Sequence, residues 1–144
     1  MTLSSDTSIA IVDNNGKVNA IKKGTATITA TTGDGSQSTK CEVNVSNPKL
    51  TADGSIGIQT TASSSGIRRG VFAKVTATGG SGEYTVYIIY LYKDGVLIGK
   101  TYDYSKNSIF VSGYNNGKYM MEYEVRDSEG EVKTGSVNTN ISGF

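Results

Sequence analysis

The stretch from residue 84 to residue 100 constrains the fold most, because it joins two apolar, β-rich runs through an Asp-Gly pair. It reads YTVYIIYLYKDGVLIGK. A two-residue type I′ turn needs positive φ at both central positions, and Asp-Gly is one of the pairs that meet this need. We therefore predict a β-hairpin in which Asp94 and Gly95 form the turn and Lys93 faces Val96.

This hairpin is apolar on both faces. Strict alternation along the two strands predicts that Leu91 faces Ile98 and that Tyr87 faces Tyr102. One face would carry Tyr87, Ile89, Leu91, Ile98 and Tyr102, and the other Val86, Ile88, Tyr90, Tyr92 and Leu97. One of them can form the core of a sandwich, while the other must be covered or bind something. The sequence leaves open which face is which.

The composition favours an all-β protein and excludes several functional classes. Apolar residues never recur with helical spacing over a useful length, and the chain of 144 residues has 18 glycines and one proline. A net charge of +1 supplies no field that would attract nucleic acid or anionic lipid, so we expect no nucleic-acid partner. No apolar run approaches the roughly 18 residues of a membrane span. Met1 opens directly onto polar residues, so we expect no signal peptide in this sequence.

Residues 1–47 are predicted to form four short strands separated by glycine-containing turns. The predicted strands are residues 8–13, 17–21, 25–31 and 40–46. In the last of them Cys41, Val43 and Val45 share one face, so Cys41 is interpreted as a small buried hydrophobic residue. A lone cysteine forms no internal disulfide, and in a secreted protein this favours a bacterial surface.

The residues of this first part carry a family resemblance. Residues 4–46 contain IAIVD, NGKV, KKGTATITA and CEVNV in this order, and the stretch resembles the second half of a bacterial immunoglobulin-like domain of group 2, the intimin/invasin type. The resemblance implies a partial domain at residues 1–47, with the first half of the family pattern missing, so we expect the chain to begin inside a domain. Four short strands do not close a two-layer core by themselves, and we expect them to dock, swap or stay partly ordered.

Residues 48–144 are predicted to form a second domain, which begins at the Asn47-Pro48 step. About seven strands with turns every 8–12 residues are typical of an Ig-like sandwich. The strand at residues 118–127 alternates most clearly, and it places Tyr119, Met121, Tyr123 and Val125 in the core. In the last strand the apolar residues change parity between Val132 and Val137, which predicts a bulge near Gly135.

This second domain carries a looser resemblance. GGSGEYTVYIIY and GKYMMEYEVRDSEGEVKTGSV are similar to segments of the polycystic-kidney-disease-type and triple-tyrosine Ig-like modules of bacterial surface proteins. By this resemblance Tyr119 would tie the late strand to a neighbouring loop. Together the two resemblances imply an all-β chain of Ig-like β-sandwich modules in tandem, with the first one truncated.

Nothing in the sequence predicts an enzyme. GVLIGKT at residues 95–101 has one residue too few between its glycines for a phosphate-binding loop, and it falls inside the predicted hairpin. The chain has no histidine, so Ser-His-Asp triads and histidine metal sites are excluded. Asp53, Asp127 and Glu129 could contribute to a calcium site at a domain edge, but their spacing is more typical of solvated turn residues. We expect no cofactor.

Tyrosines provide the candidate binding surface. Tyrosine on an exposed strand stacks on sugar rings or anchors a protein contact, although it is also an ordinary residue of sandwich cores. The candidate residues are Tyr90, Tyr92, Tyr102 and Tyr104.

These observations predict non-catalytic Ig-like modules of a bacterial cell-surface or secreted protein, acting as spacers or in adhesion. The expected partners are neighbouring Ig-like modules of the same chain, and a surface protein or a polysaccharide is a further possibility. One alternative is a carbohydrate-binding module appended to a polysaccharide-acting enzyme, and another is an Ig-like decoration domain of a phage virion. The family resemblance implies an extracellular location, and the residues themselves favour the fold.

Overall fold

The computed structural model describes residues 1–103, 105–113 and 115–142. In this part of the chain all regular structure is β, and the strands run from β1 to β12 without a helix between them. The chain divides into two compact units, Met1–Asn47 and Pro48–Phe144. The predicted fold class is thereby confirmed.

The first unit contains five strands in two small antiparallel sheets. One sheet has the order β1-β4-β5 and the other pairs β2 with β3. The strands are β1 (Thr2–Ser4), β2 (Ala10–Val12), β3 (Val18–Ala20), β4 (Gly24–Thr31) and β5 (Ser38–Val45). The sequence predicted four of these and missed β1, because three mostly polar residues show no alternation. Strand β1 owes its place to its pairing with residues 28–30 of β4.

Cys41 is exposed, so its interpretation as a buried residue was wrong. It lies on β5, which is an edge strand of its sheet, and it pairs with the buried Ile28. The neighbouring apolar residues on its face, Val43 and Val45, are half-buried. Burial on this sheet is therefore concentrated on the central strand β4, where Ala26 and Ile28 lie, and decreases at β5.

The second unit is a sandwich of two antiparallel sheets. A three-stranded sheet has the order β10-β7-β6 and a four-stranded sheet has the order β12-β11-β8-β9. The strands are β6 (Thr51–Ser63), β7 (Gly66–Thr78), β8 (Tyr84–Lys93), β9 (Val96–Asp103), β10 (Ser108–Ser112), β11 (Gly117–Asp127) and β12 (Val132–Ile141). The chain crosses between sheets from β7 to β8, from β9 to β10 and from β10 to β11, which is the arrangement of Ig-like sandwiches.

Alternating residues of the two sheets fill the core of this unit. The fully buried side chains include Val71 and Val75 of β7, Ile89 and Leu91 of β8, and Met121 and Val125 of β11. The inward positions predicted for residues 118–127, which form β11, are therefore confirmed. The Tyr119 hydroxyl donates a hydrogen bond to the Asn115 carbonyl, so the prediction that this tyrosine ties β11 to the preceding loop is also confirmed.

The predicted bulge near Gly135 is wrong. The pairing of β11 with β12 runs without a register shift from Gly117↔Ile141 to Arg126↔Val132. Val132 simply lies on the solvent side, and Val137 packs against the core. Glycine at position 135 instead makes room for Tyr123, because a Cβ at this position would collide with the Tyr123 ring and hydroxyl.

Candidate functional site

The outer side of the four-stranded sheet carries more apolar and aromatic side chains than a solvated sheet face requires. Antiparallel sheets with one face in water normally alternate apolar residues inward with polar residues outward. Here β8 has Tyr87, Ile89 and Leu91 in the core, which answers the question that its sequence left open. The opposite side presents Ile88, Tyr90, Tyr92, Leu97, Tyr102 and Met120, and we call these residues the outer tyrosine face.

The hairpin turn at the edge of this face is the one that the sequence predicted. Asp94 has φ 49° and Gly95 has φ 83°, and Lys93 pairs with Val96. The Asp94 carboxylate accepts hydrogen bonds from the Lys93 ammonium at 2.7 Å and from the Lys118 backbone N–H at 3.0 Å. The turn is therefore held to the start of β11 as well as to its own strands.

Beyond the turn the predicted register is wrong. Leu91 pairs with Gly99 and Tyr87 with Asp103, because the register shifts by one residue between Leu91 and Tyr92. Gly99 lies next to this bulge, and it is needed there because a Cβ would come within 2.9 Å of Val111 and Ile109 side-chain atoms of β10. The shift moves Tyr102 away from the face of Ile89 and Leu91, where strict alternation placed it, to the outer face, where it pairs with Ile88 and is 63% exposed.

The register places three of the four predicted binding-surface tyrosines close together. Tyr90 and Tyr92 follow each other on the outer side of β8, and Tyr102 is a diagonal neighbour of Tyr90 across β9. Tyr90 is 38% exposed and Tyr92 is half-buried. Tyr104 lies outside the described residues. The assignment of these tyrosines to a binding surface stays a prediction.

Polar residues from β11 and β12 complete the surface beside the tyrosines. Glu122 lies opposite Tyr90 and Glu124 opposite Ile88, and the next strand contributes Ser136 and Thr134 in the same rows. Together with Ile88 and Tyr90 these residues line a groove of about 500 Å³. Sequence reasoning missed these four polar residues, because only the long-range pairing of β11 with β8 brings them to the tyrosines.

Hydrogen bonds orient both carboxylates of the groove. The Tyr92 hydroxyl donates to Glu122 Oε2 at 3.1 Å, and the Arg126 guanidinium donates to Glu124 Oε1 at 3.3 Å. Burial raises the pKa of the Tyr92 hydroxyl, and its bond to the Glu122 carboxylate raises it further. Tyr92 therefore stays protonated and donating at neutral pH, and one oxygen of each carboxylate is taken up by these bonds while the other can still accept.

The residues considered for calcium do not form a metal site. Asp127 is 2% exposed, and its carboxylate accepts backbone N–H groups from Ser81 at 2.8 Å, Glu129 at 3.0 Å and Glu131 at 2.8 Å. Its oxygens are thus occupied in holding two turns together. Within residues 1–103, 105–113 and 115–142, no group of three acidic or cysteine side chains is placed to hold a metal ion.

Comparison with known proteins gives an assignment for the first unit. Residues 2–43 match the bacterial Ig-like domain, group 2. That family consists of non-catalytic immunoglobulin-like domains, and the resemblance noted at residues 4–46 is thereby confirmed. The resemblance of the second unit to polycystic-kidney-disease-type modules stays a prediction.

A curated relative matches the same part of the chain. An uncharacterized protein of Clostridium acetobutylicum is 58% identical to this chain over 43 residues, which is 29% of this chain and 4% of that protein. This chain therefore spans a small fraction of the relative that it matches. A search of the described residues for a helix long and apolar enough to cross a membrane found none.

Proposed function

We propose that this chain supplies spacer modules of Ig-like type to a bacterial cell-surface or secreted protein. One observation carries the proposal: in the second unit the chain enters at one end of the sandwich and leaves at the opposite end. A module of this kind extends a row of modules by its own length, whereas a module with both ends together would add a side branch. The group 2 match at residues 2–43 supports the bacterial surface setting.

The two ends are defined by different sets of contacts. At the first end the Leu50 backbone N–H donates to Glu131 Oε1 at 3.3 Å, and the Gly80 N–H donates to the Pro48 carbonyl at 2.7 Å. At the other end Ile141 pairs with Gly117. The next residue, Lys118, donates its backbone N–H to Asp94 of the hairpin turn. Strand β11 has 11 residues and spans the unit, so each module adds about 35 Å at roughly 3.3 Å per residue.

The start of the second unit is anchored to two turns at one end of the sandwich. The Asp127 carboxylate binds the Ser81 N–H of one turn and the Glu129 and Glu131 N–H groups of the other. The Pro48 and Leu50 contacts tie the incoming chain to the same two turns. Residues 48–50 are thus held to the sandwich by one bond at a backbone carbonyl and one bond to a side-chain carboxylate.

Surface location can be tested on the bacterium that encodes the protein. Intact cells are treated with a protease that does not enter them, and peptides from residues 48–142 are sought in the released material and in the culture supernatant. We expect these peptides in one of the two fractions, without peptides of an abundant cytoplasmic protein. Recovery from lysed cells alone would contradict the proposal.

A further inference from the structure

We propose that the groove beside Tyr90 on the outer tyrosine face is a binding site for a neutral polysaccharide. This role goes beyond spacing, and it concerns a surface that the spacer role leaves unused. The groove is lined by Ile88, Tyr90, Glu122, Glu124, Thr134 and Ser136. Its volume of about 500 Å³ falls in the range of small-ligand sites in proteins.

The side chains of the groove match the chemistry of a sugar. A pyranose has an apolar face of C–H groups and a rim of hydroxyls, so it needs a flat aromatic surface beside hydrogen-bonding groups. Tyr90 offers such a ring at the β8 side of the groove. Across the sheet Glu122 and Glu124 offer accepting oxygens, and Thr134 and Ser136 offer hydroxyls that both donate and accept.

The extent of the surface favours a polymer over a single sugar ring. Rows of paired residues run from β12 to β9, for example Ser136, Glu122, Tyr90 and Lys100. Four neighbouring strands cover about 15 Å at their usual separation of nearly 5 Å. Tyr102 lies diagonally beyond Tyr90 and is largely exposed, so it provides a second aromatic ring where a chain would leave the groove.

The charges of the groove select against anionic polymers. Glu122 and Glu124 stand on neighbouring rows of the same strand and face the same side, and their hydrogen bonds to Tyr92 and Arg126 fix them beside the groove. A ligand with carboxylate or phosphate groups would be repelled by the Glu122 carboxylate, which accepts its hydrogen bond from a neutral hydroxyl, while Glu124 is already paired with the Arg126 guanidinium and contributes less. Hydroxyl groups instead donate to them, and hydrogen bonds to charged acceptors are the stronger kind.

The test is affinity electrophoresis of the full chain in gels that contain one soluble polysaccharide each. The neutral probes are hydroxyethyl cellulose, xyloglucan, galactomannan and laminarin, and polygalacturonate is the anionic probe. We expect retardation by at least one neutral polymer and none by polygalacturonate. Free migration in all four neutral gels, or retardation by polygalacturonate alone, would overturn the proposal.

Matched variants locate the binding on the groove. Tyr90→Ala should weaken binding about tenfold through loss of ring stacking, while Ile67→Ala, at an exposed apolar residue outside this face, should leave it unchanged. Glu122→Gln should also weaken binding, while Glu83→Gln, at an exposed carboxylate elsewhere, should not. Equal binding by Tyr90→Ala and the wild type would overturn the assignment of the site.

Sedimentation velocity distinguishes a protein contact from a glycan site. If the chain forms dimers that Tyr90→Ala dissociates, and no neutral polymer binds, the outer tyrosine face is an interface between copies and the proposal is wrong. Failure of glycan binding does not affect the spacer proposal, which depends on surface exposure of the protein on cells and is measured separately.

Discussion

Asp127 joins two turns at one end of the second unit. Its carboxylate is nearly fully buried and accepts three backbone N–H groups from two different turns. These bonds hold its pKa below the usual range of an aspartate, with the Ser81 N–H as the largest cause. A group with a depressed folded-state pKa stabilises the fold above its unfolded pKa of about 4, and this contribution is lost as the pH falls through the folded value.

Replacing this carboxylate by an amide should therefore destabilise the protein in a pH-dependent way. Asp127→Asn should lower the melting temperature at pH 7, because an amide NH₂ would face N–H donors in place of an accepting oxygen. The difference from the wild type should shrink as the pH falls from about 4, where the unfolded chain takes up the proton, through the lowered pKa of the folded carboxylate. Thermal melts from pH 7 to pH 2, followed by circular dichroism, measure this difference.

The control is Asp53→Asn, the same exchange at an exposed position, which should leave the melting temperature at pH 7 nearly unchanged. Other aspartates also lose their charge in acid and contribute to the pH dependence. One of them is Asp34, whose pKa is lowered to about 2, with the hydrogen bond from the Thr32 hydroxyl as the largest cause. The informative quantity is thus the gap between the Asp127→Asn variant and the wild type. A gap that stays constant down to pH 2 would show that the charge of Asp127 is not what stabilises the turns.

Tyr123 and Gly135 form a complementary pair across two strands, in which a glycine makes room for a large ring. The Tyr123 ring lies over the paired Gly135, and its hydroxyl donates to the Ala52 carbonyl at 2.9 Å. This bond joins the four-stranded sheet to β6 of the other sheet. A glycine inside a strand marks either a bulge or a close approach of other atoms to the backbone. Gly135 is the second case, because the Tyr123 ring approaches its backbone closely.

Among the structural elements, the β8–β9 hairpin depends most on a single turn. Asp94 and Gly95 both have positive φ, and a β-branched residue resists this conformation strongly. Gly95→Val should therefore destabilise the protein by about 1–2 kcal/mol, the usual cost of a left-handed conformation for an L residue. Chemical denaturation of the full chain gives the free energy of unfolding.

Gly57→Val is the matched control, because Gly57 lies in β6 without positive φ and a Cβ there would meet no atom within 4 Å. Valine suits a strand, so this variant should be as stable as the wild type or slightly more stable. If both variants unfolded at the same denaturant concentration, positive φ at Gly95 would carry no measurable cost.

The hairpin also shows how far the sequence could predict the candidate site. Local chemistry was sufficient for the turn at Asp94 and Gly95 and for the alternation of β11. It was not sufficient for the bulge beside Gly99, where Val111 and Ile109 come close, because these two residues belong to a strand from the opposite sheet. Glu122 and Glu124 were overlooked for a similar reason, since a charged residue on a solvated strand face carries no signal until its neighbour across the sheet is known.

The β6–β7 hairpin extends as a two-stranded ribbon past the part that the third strand covers. Strand β10 pairs with residues 70–74 of β7, while β6 and β7 continue to pair up to Ser63↔Gly66. Along residues 59–69 every side chain except that of Thr61 is exposed, and Ile67 is 78% exposed. An isolated two-stranded ribbon is marginally stable in water, so this segment should open without unfolding of the sandwich.

Limited trypsin digestion tests this opening. Arg68 and Arg69 lie on the ribbon, whereas Arg126 lies on β11 between two paired strands. We expect cleavage after Arg68 or Arg69 at least ten times faster than after Arg126, with most circular dichroism signal retained when the first cut is complete. If the ribbon sites were cleaved no faster than Arg126, opening would require unfolding of the whole sandwich, and residues 59–69 would be part of its cooperative unit.

At the scale of the whole second unit, strand number decides where the chain enters and leaves. Seven strands run from β6 to β12 and each sheet is antiparallel, while the contact of Leu50 with Glu131 places the starts of β6 and β12 at the same end. An odd number of alternating strands puts the first residue of β6 and the last residue of β12 at opposite ends. The spacer proposal rests on this geometry, which one distance can test.

Two spin labels measure that distance in the full chain with Cys41 replaced by serine. Lys49→Cys with Ser142→Cys places the labels at the two ends of the unit, and double electron–electron resonance should give about 30–40 Å, as expected for a ten-residue strand. The control pair, Lys49→Cys with Glu83→Cys, places both labels at the same end. Glu83 lies three residues after Gly80, whose N–H binds the Pro48 carbonyl, so these labels should lie within about 20 Å of each other. If the first pair also fell below about 20 Å, both ends of the chain would lie together and the unit could not lengthen a row of modules.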